Sequence, residues 1–111
     1  MKKLFVIILL FISVFSFADD NTILLEKGNK AYNDKFYQEA INNYLNVIKN
    51  GLESPSLYYN LGNAYFKKEE YAAAILYFEK AKKLNPNDED ILYNLNVANS
   101  KIVDKIDELP E

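Results

Sequence analysis

Cysteine, histidine, tryptophan and arginine are all absent from the 111 residues, and the only methionine is the first residue. Without thiols or imidazoles the chain has no disulfide, no Cys-His or Ser-His-Asp centre, and no ordinary zinc or copper ligand set. All 13 basic residues are lysine, against 16 acidic ones, and the isoelectric point near 5 argues against nucleic acid, which needs a concentrated basic surface. Glycine and proline number three each. The expectation is a single small domain without catalytic turnover, metal, cofactor or small-molecule substrate.

The apolar half of the sequence is unevenly spread. Fourteen of its apolar residues fall within the first 18 positions, where Met1-Lys2-Lys3 precedes an almost unbroken run from Leu4 to Ile12 and then Ser13 to Ala18. Two lysines, a short greasy run and small residues at Ser16 and Ala18 are the parts of a secretory signal peptide over 1–18. Cleavage is expected between Ala18 and Asp19. The alternative, a retained anchor, is disfavoured because Leu4–Ala18 falls short of the ~20 residues that span a bilayer. Removal leaves 93 residues (19–111), 41 of them apolar, and moves the net charge from −3 to −5. The destination is across the cytoplasmic membrane, in the periplasm or cell envelope.

A shift of 34 residues superimposes Gly28 on Gly62, Asn29 on Asn63, Tyr37 on Tyr71, Ala40 on Ala74, Ile41 on Ile75 and Tyr44 on Phe78. A second shift places Tyr59-Asn60-Leu61 on Tyr93-Asn94-Leu95 and Ala64 on Ala98. Identity concentrates at small and aromatic positions, as a packing repeat requires. Apolar residues recur at three- and four-residue intervals and no segment sustains a period of two, so the chain is all-α. Helices are expected near 21–34, 36–50, 55–68, 70–84 and 88–107, with Gly51, Pro55 and Pro86 in the longer turns and Asn87 or Asp88 capping the last. Gly28 and Gly62 each weaken a helix by ~1 kcal/mol relative to alanine. Their repetition implies that the second helix of each pair packs too close for a side chain, with Ala40 and Ala74 as its matching small residues. Tyr37, Tyr44, Tyr71 and Phe78 are expected to fill the space between helices.

The second unit reads Tyr58-x2-Leu61-Gly62-x2-Tyr65, then Ala74-x3-Phe78, then Pro86. It resembles the tetratricopeptide repeat, with tyrosine for the leading tryptophan. The first unit is a weaker match: Leu24 leads, Lys27 replaces leucine, and Leu52 stands where proline is usual. The implied architecture is a short right-handed solenoid with repeat 1 at about 21–54, repeat 2 at about 55–88 and a closing helix at about 88–107. Asn96 takes the place of Gly28 and Gly62, so no second helix is expected against that last one. Such stacks commonly need three repeats or more, so either the domain self-associates through Ile102, Ile106 and Leu109 or the natural chain continues beyond Glu111.

In that architecture the first helices line a concave groove, and Asn29, Tyr59, Asn60, Asn63, Phe66, Tyr93, Asn94 and Val97 are its candidate residues. An Asn amide can both donate to and accept from an extended peptide backbone, while Tyr and Phe offer flat apolar surface at low entropic cost. The competing reading is that, with 14 asparagines in the chain, these are simply solvated and the aromatics pack neighbouring helices. A clamp for peptide carboxylates, of the kind tetratricopeptide cochaperones use, is disfavoured. Asn29 and Asn60 match its asparagines, but Leu25, Asp90 and Asn94 stand where it needs cations. Lys67-Lys68-Glu69-Glu70 reads as a solvated turn, and Lys80, Lys82 and Lys83 as complements to a helix dipole. No calcium-loop spacing follows Asp88 and Asp90, and nothing marks a cleft for paired carboxylates.

A narrower resemblance rests on Glu26-Lys27-Gly28-Asn29-Lys30-Ala31-Tyr32, Leu57 to Tyr65, Asn85-Pro86-Asn87-Asp88-Glu89-Asp90-Ile91, Asn94-Leu95, Ala98-Asn99 and Val103-Asp104-Lys105-Ile106. These stretches resemble the BatE proteins of the Bat aerotolerance operon. The resemblance implies an exported adaptor whose partners are other envelope Bat components, including those with von Willebrand A-type domains. Members often continue past the equivalent of Leu109-Pro110-Glu111, where this sequence stops. The alternatives are a subunit of another envelope assembly complex, or a structural self-associating module.

Overall fold

A computed structural model describes residues 20–110, which form five α-helices: α1 (Asp20–Asn33), α2 (Tyr37–Lys49), α3 (Pro55–Lys67), α4 (Tyr71–Leu84) and α5 (Glu89–Asp107). Each boundary lies within one residue of that expected from periodicity and turn chemistry. The expected leader and its cleavage point lie outside the described residues.

Local sequence sets the ends of the helices. Before α3, the Ser54 Oγ accepts from the Leu57 N–H at 3.0 Å, and Pro55 supplies a fixed φ where no donor is needed. Before α5, one Asp88 carboxylate oxygen accepts from the N–H groups of Asp90 and Ile91 at 3.0 and 3.1 Å. Asp88 is therefore the cap, and the acidic run Glu89-Asp90 sits where the helix dipole favours negative charge.

Three helices end in the same reversed turn. After α2, Gly51 takes the left-handed conformation (φ 93°) while the Leu52 N–H reaches back to the Val47 carbonyl. After α1 and α3 the corresponding places are held by Lys35 (φ 67°) and Glu69 (φ 61°), with Phe36 N–H on the Ala31 carbonyl and Glu70 N–H on that of Tyr65. A side chain in that region costs about 1–2 kcal/mol, which glycine avoids. Replacing Glu69 with glycine should therefore stabilise the chain by roughly 0.5–1 kcal/mol, the larger entropy of the unfolded glycine offsetting part of the gain. A thermal melt that falls on this substitution would contradict the assignment.

Helices α1 and α2 pack as one antiparallel pair and α3 and α4 as the next, while α5 lies against α4 and touches α3. Helix α3 is the hub, meeting α2, α4 and α5. The stack is held by three clusters. The first joins Ala31, Ala40, Ile41, Tyr44, Val47, Leu57, Leu61 and Ala64. The second joins Ala74, Phe78, Leu95 and Ala98, and the third Tyr58, Ala81 and Ile91. Half-buried tyrosines connect them: Tyr65 packs on the first and second, Tyr59 on the second and third, Tyr77 on the first and third. Tyr65 and Tyr77 stack with centroids 5.6 Å apart and ring planes 3° from parallel. Apart from the tyrosines Tyr44 and Tyr58, no side chain with a polar or charged group is buried among the described residues.

The glycine expectation gains a specific occupant. A Cβ on Gly28 would lie 2.6 Å from Tyr44 Cε1, and one on Gly62 would lie 2.6 Å from both Phe78 Cδ1 and Cε1. The group that crowds each glycine is thus the aromatic ring of the second helix. Ala40 and Ala74 are fully buried, while Tyr37 and Tyr71 are only half-buried. These two rings meet Tyr32 and Phe66 edge-on at 5.5 and 5.3 Å. Along α5 the apolar stripe is covered at Ile91, Leu95 and Ala98, partly covered at Ile102, and open at Ile106, which is 60% exposed; Leu109, just beyond the helix, is open as well. Asn96, Asn99 and Ser100 face solvent on the side where a further helix would pack.

Candidate functional site

The first helix of each unit, α1, α3 and α5, contributes to one concave face made of two adjoining hollows. The larger patch of wall comes from Tyr59, Asn63, Phe66, Tyr93, Asn94 and Val97, with Tyr32 and Lys67, around a cavity of ≈ 400 Å³. The neighbouring hollow, also ≈ 400 Å³, is lined by Asn29, Asn33, Asn60, Asn63, Tyr32 and Tyr44. All eight residues expected to face a groove are thus brought to these two hollows, with Asn63 and Tyr32 shared between them.

Tyr32, Asn33, Tyr44 and Lys67 complete the walls and were not among the expected groove residues. The 34-residue shift contains the signal for one of them: Tyr32 is the counterpart of Phe66, an expected groove residue, whereas Asn33 and Lys67 are counterparts only of each other. Tyr44 was assigned to packing, and it does pack. However, its ring is long enough to carry the hydroxyl through to the concave side.

The polar groups of the face are organised. The Tyr44 hydroxyl donates to Asn29 Oδ1 at 2.6 Å. The Asn94 amide donates both to the Tyr59 hydroxyl at 3.0 Å and to Asn63 Oδ1 at 2.8 Å, linking α5 to α3. Tyr93, by contrast, is 69% exposed and stands free at the edge. Among the described residues no acidic side chain lines either hollow, and the one cation there is Lys67 at the rim. A wall of amides, phenols and a phenyl ring can hydrogen-bond and stack.

Burial, followed by the neighbouring Tyr32 phenol, pushes the Tyr44 pKa up to about 12 from 10.0. Tyr32 is raised as well, first by burial and then by Tyr37 and Tyr59. The folded state therefore holds these protons more tightly than the unfolded chain does. The corresponding stability is complete below pH 10 and is lost as pH climbs from 10 through about 12. Thermal midpoints by circular dichroism should fall across that window. Tyr44→Phe should flatten part of the decline, leaving the remainder to Tyr32, Tyr58 and Tyr65, whose burial raises them too. A midpoint independent of pH up to 12 would be inconsistent with a protonated, buried Tyr44.

Residues 55–88 match the tetratricopeptide repeat. The stretch spans α3, α4 and the turn to α5, so the hub of the stack is the unit that carries the family pattern. Two similar proteins also point to this repeat. BBSome complex member BBS4 of Bos taurus is 35% identical over 75 residues, 68% of this chain and 14% of that protein. Tetratricopeptide repeat protein 6 of Homo sapiens is 34% identical over 63 residues, 57% of this chain and 12% of that protein. The chain thus spans only a small fraction of the length of these relatives. Among the described residues no group of carboxylates is placed to hold a metal ion, and no helix is long and apolar enough to cross a membrane.

Proposed function

We propose that this chain is an exported, non-catalytic adaptor that binds a protein segment along its concave face. The tetratricopeptide repeat at residues 55–88 is a protein-interaction unit, which supports the general reading. The observation that carries the groove assignment is the neutral, amide-and-tyrosine-lined concavity shared by α1, α3 and α5. Six aromatic and aliphatic walls give contact area there, and asparagine amides give backbone recognition. Export rests on the sequence of residues 1–18, and a role among envelope Bat components, including those with von Willebrand A-type domains, rests on the resemblance to BatE proteins.

Asn60 and Asn63 replaced together by alanine should lower capture of such a partner from an envelope extract at least tenfold, with helicity unchanged. Both lie on the half-buried concave side of α3, not in the core. Capture that survives the double substitution would remove the concave face from the binding surface. Capture of components from a different envelope assembly would keep the adaptor reading and replace the Bat one.

A second reading, self-association, is favoured by one observation: Ile106 and Leu109 near the end of the chain are 60% and 66% exposed. A solution mass that stays monomeric from micromolar to millimolar concentration would dispose of it.

A further inference from the structure

We propose that Tyr44 is a positioning residue of the concave face. In this assignment its hydroxyl turns the Asn29 amide so that the NH2 group faces the groove, ready for a backbone carbonyl of an uncharged extended peptide. The inference rests on the peptide-groove reading and specifies its chemistry.

Asn29 and Asn63 occupy the same place in successive repeats. In the first repeat, the ring of Tyr44 lies directly over Gly28, within 2.6 Å of where a Cβ would stand, and its hydroxyl donates to Asn29 Oδ1 at 2.6 Å. Glycine is what allows the ring to cross the helix at that height. In the second repeat the ring over Gly62 belongs to Phe78, which has no hydroxyl. There Asn63 Oδ1 is taken instead by the Asn94 amide at 2.8 Å. Two unrelated devices thus have the same result. In both repeats the amide oxygen is already engaged from within the protein, and the two N–H donors remain for a ligand.

Donors of one kind in successive repeats suit the carbonyls of an extended chain. The remaining wall fixes the ligand's charge. With no carboxylate and only the exposed Lys67 at the rim, a charged side chain drawn into the hollows would lose water without gaining a counter-ion.

The test uses the full chain and an array of nine-residue peptides, acetylated and amidated, without charged side chains, beside the same frames ending in a free carboxylate or bearing Asp, Glu or Lys. The best neutral binder then serves as the probe. Tyr44→Phe keeps the ring, as Phe78 does in the second repeat, and should weaken the probe about three- to tenfold, the loss of one oriented hydrogen bond. Asn29→Ala should weaken it at least as much, and Tyr44→Phe added to Asn29→Ala should weaken it no further. A merely structural Tyr44 would instead lower affinity equally in both backgrounds, which overturns the proposal.

Unchanged binding by Tyr44→Phe overturns it while leaving the groove reading intact. Selection of charged frames over neutral ones overturns the ligand chemistry. Failure of every frame to bind defeats the groove reading and this inference with it.

Discussion

Phe78→Ala is expected to lower the thermal midpoint by about 15–30 °C, or to abolish the folded state at physiological temperature. The ring is fully buried among Ala74, Leu95 and Ala98, lies against Gly62, and has the Tyr59 ring 6.0 Å away. It therefore belongs at once to its own helix pair and to the contact with α5. Truncating such a side chain costs about 3–5 kcal/mol, partly as lost transfer energy and partly as a cavity that rigid helices cannot collapse. A domain of this size holds on the order of 5–14 kcal/mol in all, so the loss runs from about a fifth of the total to most of it. At roughly 4–8 °C per kcal/mol for a small domain, the shift is large enough to read in a single melt. A midpoint within a few degrees of the parent would mean that Phe78 does not anchor the second repeat.

Gly62→Ala sets two effects of opposite sign against each other. Alanine in place of glycine within a helix ordinarily gains about 1 kcal/mol. Here the new Cβ would stand 2.6 Å from two carbons of a fully buried ring, closer than such atoms approach. The ring cannot swing into solvent, so helix and ring must shift together, and overpacking of this kind costs about 1–3 kcal/mol. With a fully buried ring in the way the steric term wins, and the substitution should destabilise by up to about 2 kcal/mol. Chemical denaturation measures it, and pairing Gly62→Ala with Phe78→Leu should cost less than the two separate effects added together, because the smaller side chain makes room. A stabilised Gly62→Ala would show that propensity outweighs the contact.

These two sites also show why so much of the fold was legible in the sequence. A glycine in the middle of a helix is a local penalty, and its recurrence 34 residues later beside an equally recurrent aromatic signals a packing partner. Helix boundaries followed from capping residues and prolines, which act within a few residues. The left-handed turns at Lys35 and Glu69 did not announce themselves, because neither residue prefers that conformation and tertiary packing holds them there. The groove was legible at the level of which helix faces inward. Its orientation chemistry was not, since whether an amide presents its oxygen or its nitrogen depends on a hydroxyl 15 residues away and on an asparagine 31 residues away. Tyr77, which bridges two clusters, was likewise hidden. Its counterpart would be Asn43, so the repeat gave no warning.

The tyrosine joints between the three clusters also bear on how the stack comes apart. Clusters this small have little independent stability, and each is tied to the next through half-buried rings that water can reach from one side. Opening should therefore begin at the outer elements, α1 and the far half of α5, and spread inward along the row of tyrosines. Helix α3, gripped by three neighbours, should give up its amide hydrogens to deuterium last. A ligand lying across α1, α3 and α5 would then act as a splint, slowing exchange most in the two outer helices and leaving the already protected centre nearly unchanged.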